Sequence, residues 1–197
     1  VFHQRLRGSE LQCVDREAEK KMMHKIDEAK KCGDTLGGVF EVVAFGAPAG
    51  LGSCMSYKER LDARLALQIM SIPAVKAVSI GEGIDMAKFS GSLAHDEIFY
   101  SKSKGYYRVS NHAGGIEGGM SNGSPLVISG YMKPIPTLSM PLSSVDVKTK
   151  KPVRATVERH DTCAVTAAGV VGEAVTAFEL ANACLEKFGG DSVREFV

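Results

Sequence analysis

The chain has no Cys-x-x-Cys pair and no cysteine–histidine cluster, which argues against structural zinc. Its five cysteines, Cys13, Cys32, Cys54, Cys163 and Cys184, are odd in number and widely spaced, so they read as free thiols in a reducing compartment. No charge sign is in excess: 24 Lys and Arg stand against 23 Asp and Glu. That excludes the broad basic field of a non-specific nucleic-acid binder, and any cationic site must be local. No apolar run reads as a membrane span, and no signal peptide is visible. The expected partners therefore include neither nucleic acid nor membrane, and the expected location is cytoplasmic. Internal repeats of 20–50 residues, low-complexity tracts and domain boundaries are also missing, so residues 1–197 are read as one domain. Neither GxxxxGK[ST] nor a clean GxGxxG after a strand occurs, which excludes Walker and Rossmann sites. The opening segment, VFHQRLRGSELQCVD, reads as the interior of a longer sequence.

What is present has average globular composition. Asp15 can cap a helix running to about Lys31, with Ala18, Met22, Ile26 and Ala29 on one stripe and Gly33 as its stop. Val39 to Phe45 is β-branched and aromatic, hence a strand. Residues 58–72 are helical, with Leu61, Leu65 and Ile69 on one face and Pro73 as terminator. Val75 to Gly81 and Ser124 to Met132 read as strands, and residues around Lys148 to Lys151 as a hairpin turn. From Gly81 to Gly123 there is no sustained period of 2 or 3.6. A loop of that length is expected to be functional or disordered. It is also expected to be mobile without a ligand. Cys163 to Gly190 reads as a long helix, apolar over much of its circumference and therefore central. The order lacks regular βαβ alternation. The expected class is α+β, with antiparallel sheet packed on helices.

Four stretches can carry chemistry. NHAGGIEGGMSNG (111–123) holds five glycines in thirteen residues; it suits either a flexible surface loop or bare backbone approached by a ligand. KPIPT (133–137) is stiffened by two prolines; it is either a proline-rich crossover or a rigid carrier of the Lys133 ammonium and the Thr137 hydroxyl. ERHDTC (158–163) precedes the long helix. Asp161 or Thr162 can be its N-cap, and Arg159 can grip an anion at the positive helix end, with Asp161 or His160 exchanging protons. GSLAHDE (91–97) has adjacent acids and is expected to be a solvated turn.

These motifs occur in a recognisable order: GEG, GS, DE, NHAGGIEGGMSNG, MKPIPT and ERHDTCAV. Together with DEAKKCGDTLGGVFEVVAFGAPAGLG and DARLALQIMSIPAVKAVSIGEG, they resemble the C-terminal half of the chorismate synthase family, from about Leu11 to Phe196. The resemblance implies a layered β-α-β arrangement within the α+β class. It implies a 1,4-elimination of phosphate from 5-enolpyruvylshikimate 3-phosphate, with reduced FMN and no net redox change. It further implies a homotetramer, with the flavin reduced by a partner flavin reductase or by an intrinsic NADP-linked activity. By position, Pro73, Ala74, Gly118, Lys133, Pro134, Ile135, Pro136, Thr137 and Arg159 match the family's flavin contacts. Arg159 also matches a contact to the substrate phosphate, and Asp161 an acid that helps manage the proton at flavin N5. Thr162 and Thr166 stand where most of the family has proline. The family's upstream half, with its GESHG-type histidine, has no counterpart in these 197 residues, so the chain alone is expected to be inactive or a non-catalytic core.

Overall fold

The structure is a computed structural model and describes residues 5, 6 and 8–189. Helix α1 (Arg16–Cys32) begins as expected: the Asp15 carboxylate accepts the N–H groups of Glu17 and Ala18. Two first-turn amides that lack an intrahelical partner are thereby satisfied. Glu17 and Glu19 in the first turn and Lys30 and Lys31 in the last complement the helix dipole. Gly33, in the left-handed region, ends the helix.

Strand β1 (Gly38–Ala44), helix α2 (Leu61–Met70) and strand β2 (Val75–Ile80) follow. Residues 81–123 are not structureless. They hold α3 (Gly83–Met86), α4 (Gly91–Ala94), a ribbon of β3 (Ile98–Ser101) and β4 (Gly105–Arg108), and a ribbon of β5 (Ile116–Glu117) and β6 (Met120–Ser121). Both ribbons are antiparallel. Elements of two to four residues are too short for a hydrophobic period to show, so no periodicity marks them. Strand β7 (Leu126–Met132), a hairpin of β8 (Ser143–Val145) and β9 (Pro152–Arg154), and helix α5 (Val165–Phe188) complete the described chain. Strands β1, β7 and β2 form one sheet in the order β1-β7-β2. The class is α+β, as expected. The second of the two expected helix-stopping glycines, Gly190, lies outside the described residues.

The chain divides into two compact units. One takes the described residues up to Gly38 together with Met132–Ala168; the other takes Val39–Tyr131 with the described residues from Gly169 onward. The second unit holds the main core: Leu51, Leu61, Leu65, Ile69, Leu126 and Ile128 are fully buried. Leu61, Leu65 and Ile69 lie on one face of α2, as their spacing predicts. Burying each such side chain contributes about 1.5–3 kcal/mol. From β1, Phe40 and Val42 turn inward, and the Phe40 ring lies over Gly130 of β7 and Gly172 of α5.

Helix α5 differs from expectation. Its buried positions include Ala168, Thr176, Glu179 and Ala183, whereas Val170, Val171, Phe178 and Leu185 are exposed. It is therefore a one-sided helix rather than a central one. Gly172 faces β1, where a Cβ would meet the Phe40 ring and Val42. The helix is also long and apolar enough by composition to cross a bilayer, contrary to the reading that no such run exists. Its buried Glu179 is instead paired with Arg64 and Gln68 of α2, which ties that face to protein.

Candidate functional site

In the first unit, residues 35–37 gather two of the predicted segments. The Thr35 hydroxyl donates to the Ile135 carbonyl (2.6 Å), and Thr35 is itself buried. Leu36 N–H donates to the Thr162 carbonyl (2.7 Å), and Leu36 pairs with Cys163 in a parallel bridge. KPIPT and ERHDTC therefore both bond to the same short stretch. Gly37 makes this approach possible: a Cβ there would overlap the Met132 carbonyl and crowd Lys133 and Pro134. Ser139 Oγ lies 3.1 Å from His160 Nε2, a further link between the two segments. KPIPT forms neither helix nor strand and bends at Pro136. Lys133, Arg159 and Asp161 are exposed, and among the described residues none of them forms a salt bridge.

Neither Asp161 nor Thr162 caps α5. The helix starts at Val165, and its Ala168 N–H donates to the Ala164 carbonyl (2.9 Å). Pairing of Leu36 with Thr162 and Cys163 keeps the chain extended through the expected cap position. Arg159 accordingly lies six residues before the first helical residue, Val165, and the dipole falls off within the first turn.

In the second unit, Pro73 and Ala74 are the central residues of a turn closed by Val75 N–H donating to the Ile72 carbonyl (3.1 Å). Ala74 has φ 68. Proline followed by positive φ is the type II pattern, which normally takes Gly or Asn at the second position. Gly118 and Gly119 form the two-residue turn between β5 and β6, with φ 60 and 84. Positive φ at both positions is the type I′ hairpin geometry. The two glycines differ in surroundings. A Cβ on Gly119 would meet Arg60 and the Ser53 carbonyl, whereas one on Gly118 would have nothing within 4 Å. Leu61 N–H donates to the Gly119 carbonyl (2.8 Å), so this turn sits at the start of α2, while Pro73 and Ala74 follow its end. The helix has ten residues, or about 15 Å. The two predicted contacts therefore lie at opposite ends of α2, and a ligand touching both in one chain must be extended.

Sequence reasoning missed several residues that hold this region. Asp96, expected in a solvated turn, is buried and accepts Ser110 Oγ–H (2.6 Å), His112 N–H (2.8 Å) and Ala113 N–H (3.0 Å). Those bonds and the His112 charge hold its carboxyl below the ordinary value, against burial, which is the largest single influence and acts to raise it. Asn111 donates to the Pro125 carbonyl and accepts Gly115 N–H, both at 2.9 Å. Ser121 Oγ–H donates to the Pro48 carbonyl (2.6 Å) and accepts Leu51 N–H (2.8 Å). The only sequence signal for these roles was their residue type, since Asp, Asn and Ser readily bond backbone. Two open clefts occur in this unit, about 510 Å³ beside Lys58, Arg64 and Glu186 and about 550 Å³ beside Pro48, Cys184 and Leu185. Neither is lined by a predicted flavin contact.

The fold is of the α+β class, with the Gly118–Gly119 turn in one unit and the proline segment, Lys133 and Arg159 in the other. Comparison with known proteins makes the class specific. The family model described as chorismate synthase matches residues 2–185. The chain belongs to the chorismate synthase family. It is 56% identical over 191 residues to the chorismate synthase of Desulforamulus reducens, covering 97% of this chain and 49% of that protein. With the chorismate synthase of Geobacter sulfurreducens it shares 57% over 195 residues, covering 95% of this chain and 50% of the relative. A crystal structure of chorismate synthase superposes with a TM-score of 0.81 at 44% identity, covering 98% of this chain and 50% of the other. The chain spans about half the length of the curated relatives it matches.

Proposed function

We propose that this chain supplies the flavin-facing part of an enzyme that eliminates phosphate from 5-enolpyruvylshikimate 3-phosphate to give chorismate. The reaction class is a carbon–oxygen lyase of aromatic amino-acid synthesis. The observation that carries the reading is the family match over residues 2–185. The residues fit FMN in one testable respect. Gly118 presents bare backbone to open space, where a side chain would stand in the path of a ring. An extended ligand with a planar end and a phosphate end suits contacts separated by the length of α2. When bound, reduced FMN supplies transient electron density as phosphate leaves.

The chain's own residues bind and orient. By the family resemblance, Pro73, Ala74 and Gly118 in one unit, and Lys133, Pro134, Ile135, Pro136 and Thr137 in the other, would be flavin-contacting residues. Thr35 and Gly37 hold the KPIPT stretch in place. Lys133 and Arg159 hold anionic oxygens, with Arg159 suited to bidentate grip on a phosphate. By the family resemblance, the Asp161 carboxylate would be the group that holds a proton beside the flavin. The complete enzyme works as a cytoplasmic homotetramer, its FMN reduced by a flavin reductase or an intrinsic NADP-linked activity.

A second reading is that the 197 residues alone are a non-catalytic core. The exposed Val170, Val171, Phe178 and Leu185 of α5 favour it. FMN titration by fluorescence quenching, with and without 5-enolpyruvylshikimate 3-phosphate, separates the two. Saturable binding tightened by the substrate supports a competent half-site; absence of quenching supports the core reading. With the upstream half supplied, Asp161→Asn should lower turnover while leaving FMN affinity intact.

A further inference from the structure

Asp96 is only 8% exposed, and three donors converge on its carboxylate. Oδ1 accepts from Ser110 Oγ and His112 N, and Oδ2 accepts from Ala113 N. The clasped backbone leads directly into the glycine stretch. Gly114 N–H donates to the Asn111 carbonyl (3.0 Å), and the Asn111 side chain accepts Gly115 N–H (2.9 Å). Asn122 N–H returns to the Gly115 carbonyl (2.9 Å), closing the base of the β5–β6 ribbon. A continuous series of hydrogen bonds thus runs from Asp96 to the ribbon whose tip is Gly118.

We propose that Asp96 is a positioning residue for the flavin site: it fixes the backbone of residues 110–113 so that the Gly118 turn is presented in one conformation. The proposal rests on the flavin reading above. A carboxylate is required because both oxygens accept. An amide would aim its own N–H donors at a backbone N–H. Hydrogen bonds to an ionised acceptor are roughly twice as strong as neutral ones, so the clasp is worth more than its three bonds suggest. The Gly119 carbonyl is tied separately to Leu61 N–H, so losing the clasp loosens the turn without detaching it.

The test compares the wild-type chain with Asp96→Asn and Asp96→Glu by hydrogen exchange and FMN quenching. Asp96→Asn should raise exchange at His112, Ala113 and Gly115 by about tenfold or more, the size expected for a lost charged hydrogen bond. Exchange within α5 should stay at its wild-type rate. FMN affinity should fall about tenfold, with partial recovery in Asp96→Glu. Unchanged loop exchange, an equal rise throughout α5, or raised loop exchange with unaltered FMN affinity would each overturn the proposal. A wild-type chain that fails to quench FMN, alongside the expected local exchange, supports the core reading of the isolated chain; the affinity comparison is then made with the upstream half supplied, where unaltered affinity in Asp96→Asn overturns the proposal.

Discussion

At the scale of single residues, Ala74 carries backbone strain. Its φ of 68 is a left-handed conformation, which costs an L-residue about 1–2 kcal/mol. Glycine would relieve that strain while adding about 0.5–1 kcal/mol of conformational entropy to the unfolded chain. Ala74→Gly is therefore expected to stabilise by between zero and about 1.5 kcal/mol. If the methyl group helps to seat the flavin, the same substitution weakens FMN binding. Urea unfolding and flavin titration on one preparation read both effects, and parallel losses would mean the methyl only packs. Asp96 makes a pH prediction at the same scale. Its folded carboxyl titrates below its ordinary value. The stability it contributes is complete above the unfolded value of about 3.9 and is lost as pH falls through the lower folded value. Loop protection, taken relative to the intrinsic exchange rate at each pH, should hold steady down to about pH 4 and fall below it, with the Asp96→Asn variant lacking this step.

Elements show which physical signals the sequence carried. Helix α1 was legible because its start and stop are chemical: an acceptor at Asp15 and a left-handed glycine at Gly33. Helix α2 was legible because Leu61, Leu65 and Ile69 repeat over two turns. The KPIPT segment was legible from its prolines alone. Residues 81–123 were not, because their order comes from polar side chains bonding distant backbone, as Asp96 and Asn111 do, and no periodicity reports such bonds. Helix α5 was misread because apolarity was weighed without size. Its inner stripe is Ala168, Gly172, Thr176, Glu179 and Ala183, and its bulk points outward. The α2–α5 contact is accordingly partly ionic. Arg64 reaches buried Glu179 (2.5 Å) and Glu186 (2.5 and 3.0 Å), and Gln68 also donates to Glu179 (3.0 Å). Removing the cation strands a buried carboxylate, so Arg64→Ala should cost about 3–5 kcal/mol. Arg64→Ala combined with Glu179→Leu should recover much of that loss. Chemical denaturation of the single and double variants measures it, and additive losses would mean the pair is not coupled.

Across the whole molecule, the large apolar side chains left exposed are not scattered singly. In the second unit they include Ile98, Tyr100 and Tyr106 on one ribbon and Val170, Val171, Phe178 and Leu185 on one helix. In the first unit they include Met140, Leu142, Val145 and Val147 in and beside the β8–β9 hairpin. Contiguous apolar area of this kind is usually covered in a working protein. On the reading proposed above, the other half of the relatives' length and further copies would cover it. The chain alone is then expected to bind a hydrophobic dye strongly and to sediment above the 21.0 kDa of a monomer. Supplying the upstream half of a related synthase as a separate polypeptide should suppress the dye signal and restore FMN-dependent chorismate formation together. Suppression without turnover would separate packing from catalysis and shift attention to Arg159 and Asp161, whose charges would then be correctly housed but chemically insufficient. A monodisperse 21.0 kDa species with no dye binding would mean that this surface is stable in water as it stands. The case for a missing cover would then fall, even though family membership rests on separate grounds.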